Sequence, residues 1–185
     1  MRTEETPKCE IDRNLLVNFD KYKFSKTFSC GVDVIDSYYK GSFKRALKSE
    51  NISAIGAIAP TLEIVAFCTL TVSDIDKTSA QNGIEDTNLP SRIPVVRLVM
   101  LGVDVKYQGW GIGQTLLMEA FKQAARVHKE IPIKGVYLDA APTAVSFYEG
   151  LGFKIIDEPD TNQSTPMLIG INVILEAIAA AGIKI

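Results

Sequence analysis

The sequence predicts a mixed α/β fold (α+β in its wider sense), in which a central β-sheet is flanked by helices. The first observation is a nearly continuous apolar run at 95–103, which is typical of a strand buried on both faces. The second is an amphipathic pattern at 111–128, where apolar residues recur at helical spacing. The third is the alternation of strand-like and helix-like segments in the second half of the chain, which is typical of helices packed on a sheet.

The other elements follow from local patterns in chain order. The first ten residues are polar, and 1–10 is predicted as a loose tail. Helical spacing of apolar residues runs from Asp33 to Ser49, and Gly41 is a point where this helix can divide. Polar residues and turn formers at 74–94 predict a long loop, and long loops in compact domains are often functional. The remaining strands are predicted at 52–59, 63–73, 135–140, 153–156 and 167–172, and the remaining helices at 143–151 and 173–181.

Composition limits the class of protein. A chain of 185 residues with 46% hydrophobic and 23% charged residues is typical of one globular domain, so 1–185 is predicted as a single domain. The formal net charge of −2 argues against a globally basic nucleic-acid binder. Three scattered cysteines and one histidine, His128, give neither a disulfide framework nor a multi-histidine metal site. The polar N-terminus and the interrupted apolar stretch at 167–185 predict no signal peptide and no membrane span, hence a cytoplasmic protein.

A glycine-rich segment between the buried strand and the amphipathic helix is the strongest local signal. It reads Gln108-Gly109-Trp110-Gly111-Ile112-Gly113. Closely spaced glycines let backbone N–H groups turn toward an anion, and a helix that begins there adds unpaired N–H groups and its dipole. The spacing fits neither a P-loop, which needs Gly-Lys-Ser/Thr, nor a dinucleotide fingerprint. From the residues alone, pyrophosphate binding and an ordinary glycine-rich turn are equally open.

Two motifs together resemble the GNAT superfamily of acetyl-CoA-dependent N-acetyltransferases. One is the Q-x-x-G-x-G segment after the strand end Leu101-Gly102-Val103-Asp104, and the other, at 144–153, resembles that superfamily's A-x-x-F-Y-x-x-x-G-F element. The resemblance implies the GNAT fold, acetyl-CoA as cosubstrate and no metal ion. It implies that the glycine segment holds the CoA pyrophosphate and that the strand end pairs with the pantetheine arm. The implied cofactor-binding residues are Leu101, Gly102, Val103, Gln108, Gly109, Trp110, Gly111, Ile112, Gly113 and Gln114.

A narrower resemblance, to the GNAT-type toxins of bacterial toxin–antitoxin systems, covers nearly the whole chain. The segment 28–36, FSCGVDVID, resembles the F-x-C-G-x-x-x-L-D opening of these toxins, and 93–97 resembles their lead into the central strand. The pattern departs at Met100, where the family has arginine, and at Trp110, where a basic residue is usual. The resemblance implies acetylation of the amino group of aminoacyl-tRNA, which blocks translation. It also implies a ribbon-helix-helix antitoxin as partner and is compatible with a homodimer.

Tyr148 is the candidate catalytic residue. The resemblance places it near the sulfur of acetyl-CoA, and a phenol, which titrates at about 10, can donate a proton to a departing thiolate, whose thiol titrates at about 8.5. The backbone N–H of Gly102 or Val103 is the candidate donor to the oxyanion. Glu63 and Asp104 are the carboxylates considered as general base, although an α-amine that titrates at about 8 needs none near neutral pH.

A basic stretch is the candidate nucleic-acid-binding region. Residues 21–48 carry seven cations and two anions, a net charge of +5, so the rest of the chain sums to −7. Lys40, Lys44 and Lys48 recur at every fourth position and line one face of the predicted helix, next to Arg45. A span of eight helical residues rises about 12 Å, enough to contact successive phosphates. A solvated helix face is the other interpretation of this pattern.

Two other functions remain open at this stage. One is an N-acetyltransferase that acts on a small-molecule or protein amine, which the slightly acidic net charge favours. The other is a non-catalytic CoA-binding module with a regulatory role.

Overall fold

The computed structural model describes residues 7–86, 88–159 and 164–185. Its strands are β1 (Glu10–Asp12), β2 (Ser53–Ile58), β3 (Ile64–Asp76), β4 (Arg92–Val103), β5 (Gly135–Ala140), β6 (Lys154–Ile155) and β7 (Thr165–Gly170). Its α-helices are α1 (Leu15–Asn18), α2 (Asp33–Tyr38), α3 (Lys44–Lys48), α4 (Lys77–Ala80), α5 (Ile112–Glu130), α6 (Val145–Glu149) and α7 (Ile171–Ala180). Short 3₁₀ turns occur at Phe19–Lys21, Val105–Tyr107 and Pro142–Ala144.

The seven strands of these ranges form one mixed sheet in the order β1-β2-β3-β4-β5-β7-β6. β4 and β5 run parallel, whereas β7 pairs antiparallel with both β5 and β6. The predicted mixed α/β class with a central sheet is therefore confirmed. Within the described ranges, no helix combines the length and the apolar character that a membrane crossing requires.

The chain divides into two compact units, and the first comprises 1–71 and 100–120. Its core is aromatic. The Phe43 ring stacks on Phe67 with a centroid separation of 4.6 Å, and the Phe28 ring stacks on Tyr39 at 4.1 Å. Leu15 and Leu47 are completely buried in the same cluster. Stacked and tilted aromatic pairs add to the stabilisation that area burial provides, so this cluster fixes the helical segments against β2 and β3.

The second unit comprises 72–99 and 121–185. β5 pairs with β7 along its whole length, from Gly135 opposite Gly170 to Ala140 opposite Thr165. One buried apolar cluster lies around β4 and β7; its members are Ala80, Leu89, Ile93, Val95, Ile156 and Leu168. Residues of the predicted loop at 74–94 thus contribute to a core.

Several predicted boundaries need correction. β3 extends to Asp76, α4 follows directly, and β4 begins at Arg92, so the predicted loop at 74–94 is shorter than expected. The predicted helix at 33–49 is continuous through Gly41, but residues 39–43 form a π-helical turn between α2 and α3. Of the predicted tail at 1–10, residues 1–6 lie outside the described ranges, and Glu10 already belongs to β1.

Candidate active site

The glycine segment forms a turn that leads directly into α5. Gly109 and Gly111 have φ angles of +80° and +75°, a left-handed conformation that side chains disfavour. A Cβ atom at Gly111 would meet nothing nearer than Gln114 Oε1, at 4.0 Å, so the space in front of this residue is open. The backbone N–H groups of the first three residues of α5, Ile112, Gly113 and Gln114, have no acceptor within the helix. An open glycine turn at a helix N-terminus, where backbone N–H groups lack partners, fits an anion such as pyrophosphate.

Gln108 anchors this turn to the rest of its unit. Its Nε2 donates hydrogen bonds to the carbonyl oxygens of Cys30 and Val103, both at 2.9 Å. One bond closes the turn onto the end of β4, and the other joins it to a segment 78 residues earlier in the chain. Both hydrogen bonds of the Gln108 amide nitrogen are therefore made within the protein. A direct contact between Gln108 and the cofactor stays a prediction.

The strand end Leu101-Gly102-Val103 is fixed on both sides. Upstream, the N–H of Met100 donates to Thr69 Oγ1 at 3.1 Å, and downstream the N–H of Asp104 donates to Val65 O at 2.9 Å. Gly102 is buried, and a Cβ atom there would lie 2.9 Å from Ile35 Cγ2 and 3.1 Å from Phe67 Cε1. Any larger residue would have to displace one of these side chains, so the close packing against α2 and the aromatic core favours glycine at 102. The donation of its N–H to an oxyanion stays a prediction.

The two carboxylates considered as general bases have structural partners. Asp104 is 8% exposed; its Oδ1 accepts from Lys106 N at 3.0 Å, and its Oδ2 lies 3.4 Å from Ser29 N. These contacts cap the 3₁₀ turn after β4, so Asp104 is a loop anchor. Glu63 lies in the connection between β2 and β3, where it accepts from the Thr61 hydroxyl at 3.0 Å.

His128 has a structural position at the end of α5. Its Nδ1 lies 2.9 Å from Ile133 O and 3.3 Å from Ile133 N, so the ring holds the connection that follows the helix. In the part of the chain that the structure describes, no three histidine, cysteine or carboxylate side chains group as metal ligands.

Tyr148 belongs to the second unit, where it lies in α6. The residue is 7% exposed, and its ring makes edge contacts with Phe147 and Phe153 at centroid separations of 5.1 and 5.4 Å. Its carbonyl oxygen accepts from the N–H groups of Leu151 and Phe153. The ring is therefore rigidly held, as a residue that delivers a proton to a fixed point must be. Its catalytic role stays a prediction.

The predicted lysine face is exposed and lies beside aromatic rings. Lys44 Nζ lies 5.2 Å from the centroid of Phe24, and Lys48 Nζ lies 4.8 Å from that of Phe19. Lys40 and Arg45 are exposed on the same helical segment. In an α-helix, residues four apart are rotated by about 40° more than one full turn, so a stripe at this spacing drifts around the helix. The wider π turn rotates less per residue and offsets this drift. The three lysines therefore stay on one side of the segment, as the spacing predicts.

Phe19 and Phe24 were not identified from the sequence as part of this face. Their turn-rich segment has no helical or strand periodicity, and only the proximity of aromatic residues to a basic stretch could have indicated them.

Comparison with known proteins defines the family. A family model described as "Acetyltransferase (GNAT) domain" matches residues 83–168. A tRNA-acetylating toxin of Mycobacterium tuberculosis (strain ATCC 25618 / H37Rv) is 28% identical over 132 residues, which cover 70% of this chain and 77% of that protein. A crystal structure of a bacterial toxin is 36% identical, covers 94% of this chain and 96% of its own, and has a TM-score of 0.86.

Two further solved structures share the fold. AtaT complexed with acetyl-methionyl-tRNAfMet is 21% identical, with a TM-score of 0.77 and coverage of 92% of this chain and 99% of its own. A mutant AtaT toxin bound to the C-terminus of the antitoxin AtaR and acetyl-CoA is 20% identical, with a TM-score of 0.69 and coverage of 94% and 99%. The glycine turn, the strand end before it and these matches agree, and the chain belongs to the GNAT family of acetyltransferases.

Proposed function

We propose that this protein transfers the acetyl group of acetyl-CoA to the amino group of aminoacyl-tRNA and thereby blocks translation. The family match supports the acetyl transfer, and the sequence relative that acetylates tRNA supports the acceptor. The observation that carries the proposal for this chain is the exposed face of Lys40, Lys44 and Lys48 beside Phe19 and Phe24. Lysines neutralise backbone phosphates, and the rings of Phe19 and Phe24 hold two of these lysines in place through cation–π contacts.

The glycine turn and the strand before it are the proposed site for acetyl-CoA, which supplies the acetyl group as a thioester. The left-handed glycines and the first N–H groups of α5, at Ile112 and Gly113, would hold the pyrophosphate. Trp110 and Gln114 belong to the same turn and helix start. The backbone of 101–103 would pair with the pantetheine arm, which orients the thioester carbonyl.

The reaction then needs two further groups from the protein. A backbone N–H of Gly102 or Val103 would stabilise the negative charge that develops on the carbonyl oxygen, because preorganised donors are most effective there. The neutral amine nitrogen would attack the thioester carbonyl carbon, and as the C–S bond breaks the Tyr148 hydroxyl would give its proton to the leaving sulfur. The proton that the acetylated nitrogen then loses would return to Tyr148 through solvent. An amine that titrates at about 8 is partly neutral near neutral pH and needs no protein base for the attack, in keeping with the structural partners of Asp104 and Glu63.

The proposal extends to partners and location. The AtaT structure that contains the AtaR C-terminus supports an antitoxin as the partner. The ribbon-helix-helix class of that antitoxin is what the resemblance to toxins of toxin–antitoxin pairs implies. A homodimer is compatible with this proposal. Because the two proposed substrates, charged tRNA and acetyl-CoA, meet in the compartment where translation takes place, the proposed location is the cytoplasm.

The direct test is incubation with radiolabelled acetyl-CoA and three acceptors. These are charged tRNA, the same tRNA after deacylation, and a polyamine. Label should appear on charged tRNA and be absent from deacylated tRNA, because deacylation removes the amine. Preferential label on the polyamine would establish the small-amine alternative. Binding of acetyl-CoA without turnover on any amine would establish the non-catalytic module.

A further inference from the structure

The dipeptide Ser29-Cys30, in the connection before α2, is held from two sides. On one side lies the Asp36 carboxylate, from the first turns of α2. Its Oδ1 accepts the N–H of Cys30 at 2.7 Å, and its Oδ2 accepts the hydroxyl of Ser29 at 2.7 Å. Both carboxylate oxygens thus bond one short segment with short, charge-assisted bonds. Gly31, with a φ angle of +84°, allows the chain to turn back toward Asp36.

On the other side lies the connection between β4 and α5. The N–H of Val105 donates to Ser29 O at 2.8 Å, and Gln108 Nε2 donates to Cys30 O at 2.9 Å. Asp104 adds a longer contact, from its Oδ2 to Ser29 N at 3.4 Å. The dipeptide therefore links Asp36 of α2 to Gln108, which directly precedes the left-handed Gly109.

We propose that Asp36 is a positioning residue for acetyl-CoA, which sets the conformation of the glycine turn through Ser29-Cys30 and Gln108. The inference rests on the proposed function, because it takes the same turn as the site of the CoA pyrophosphate. The hydrogen bonds of Asp36 go to Ser29 and Cys30, so it acts on the turn through them.

The physical reason is the intrinsic freedom of the turn. Gly109 and Gly111 occupy a conformation that glycine adopts readily, but glycine also has the most alternatives to it. A flexible turn would have to be ordered when the ligand binds, and this ordering lowers affinity. Gln108 bonds both Val103 O and Cys30 O, and its bond to Cys30 restrains the turn only while Cys30 is held in place. Asp36 holds it there through the Cys30 N–H and the Ser29 hydroxyl.

The test compares Asp36→Ala with a conservative and a control variant. Asp36→Ala removes both acceptors and should weaken acetyl-CoA binding, measured by calorimetry, about tenfold. Asp36→Asn should bind like the parent within about twofold, because its Oδ1 still accepts from Cys30 and its amide can donate to Ser29. Asp33→Ala removes a charge from the first turn of the same helix, at an exposed position, and should leave binding unchanged.

A double-mutant cycle then tests the route of the effect. Gln108→Met keeps the length of the side chain and removes its donors, so it should also weaken acetyl-CoA binding. If Asp36 acts through Gln108, the double variant Asp36→Ala/Gln108→Met should bind no worse than the weaker single variant. At saturating acetyl-CoA, turnover of Asp36→Ala should stay within about twofold of the parent, because a positioning residue for binding changes KM rather than kcat.

The failures are distinguishable. A parent protein that does not bind acetyl-CoA refutes the proposed function itself. A parent that binds it, with Asp36→Ala equally tight, refutes only the positioning role. Multiplicative losses in the double variant would show that Asp36 and Gln108 act independently, which also overturns the inference. If Asp36→Ala does not fold, Ser29→Ala takes its place, because it removes one of the two bonds to Asp36 and should weaken acetyl-CoA binding; affinity equal to that of the parent in Ser29→Ala or in Gln108→Met contradicts the inference.

Discussion

Gly111 has a left-handed backbone and faces open space. A side chain at this position would therefore obstruct a bound anion without colliding with the protein. Gly111→Val introduces a β-branched side chain at φ +75° and places it where the anion would lie. We expect the dissociation constant of acetyl-CoA, measured by calorimetry, to rise at least tenfold, or about 1.4 kcal/mol. Gly182→Val is the matched control, because Gly182 has φ +66° and equally open surroundings at the other end of the chain. Equal affinity in both variants would remove the turn from the cofactor site.

Tyr148 allows a test in which packing is kept and only a hydroxyl is lost. Tyr148→Phe preserves the edge contacts with Phe147 and Phe153, so folding and acetyl-CoA affinity should be unchanged. General acid catalysis contributes about 10²–10⁴-fold, so turnover on charged tRNA should fall at least about a hundredfold. Tyr137→Phe is the control: it removes a hydroxyl that donates to Asp139 at 2.6 Å, outside 21–48, and should leave turnover unchanged. Turnover of Tyr148→Phe within threefold of the parent would make Tyr148 a packing residue.

The ionisation of Asp36 predicts a pH dependence of stability. Burial by itself raises the pKa of this carboxyl, but the hydrogen bonds from Cys30 and Ser29 and the nearby charge of Lys40 outweigh it, so the pKa is lowered. A carboxyl whose pKa is lower in the folded state stabilises above its unfolded pKa of about 3.9, and this contribution is lost as pH falls through the folded value. The difference in unfolding free energy between the parent and Asp36→Asn, measured in urea, should shrink as pH falls from 7 to 3. A difference that does not vary with pH would contradict the assigned contacts.

The sequence predicts helices and strands best where their apolar pattern is long. α5, β4 and β5 lie within about three residues of their predicted bounds, because each carries a sustained apolar pattern. β1 and α1 have three and four residues, too few for a period to be recognised. The π turn at 39–43 is also absent from the predictions, because the spacing of apolar residues allows a small shift in winding.

The candidate site likewise has some features that the sequence predicts and others that it does not. The glycine segment is recognisable because a functional backbone conformation restricts the residue type locally. The anchoring of that turn is not recognisable, because Gln108 bonds Cys30, and no local pattern relates residues 78 positions apart. Gly113 differs from the other two glycines of the segment. It lies in the first turn of α5 and has ordinary helical backbone, whereas Gly109 and Gly111 are left-handed, so the regular spacing of the three does not reflect a shared conformation.

The lysine face yields a prediction about salt. Changing Lys40, Lys44 and Lys48 to Glu should weaken tRNA binding and flatten the dependence of log K on log salt, because fewer counterions are released. Acetyl-CoA affinity should be unchanged. The control changes Lys129, Lys154 and Lys184 to Glu, which gives the same net charge at exposed positions outside 21–48. If both triple variants lose the same affinity and slope, net charge rather than this face governs binding.

The two compact units are not separated by linkers. The chain passes between them after Thr71, after Val99 and after Ala120, and these points lie inside β3, β4 and α5. Domain boundaries normally fall in exposed flexible segments, where few contacts cross. We therefore infer that residues 1–185 behave as one domain, in which the loss of either unit disrupts elements of the other.

This inference predicts one cooperative unfolding transition. Differential scanning calorimetry should give a single peak whose calorimetric and van't Hoff enthalpies agree. Acetyl-CoA at a hundredfold excess over its Kd adds about 2.7 kcal/mol, which should raise the midpoint by about 5–11 °C for a chain of this size. The whole peak should move, although the glycine turn belongs to the first unit alone. Two peaks, of which acetyl-CoA moves only one, would show that the units are separate domains, because a ligand stabilises only the part of the chain that unfolds with its site.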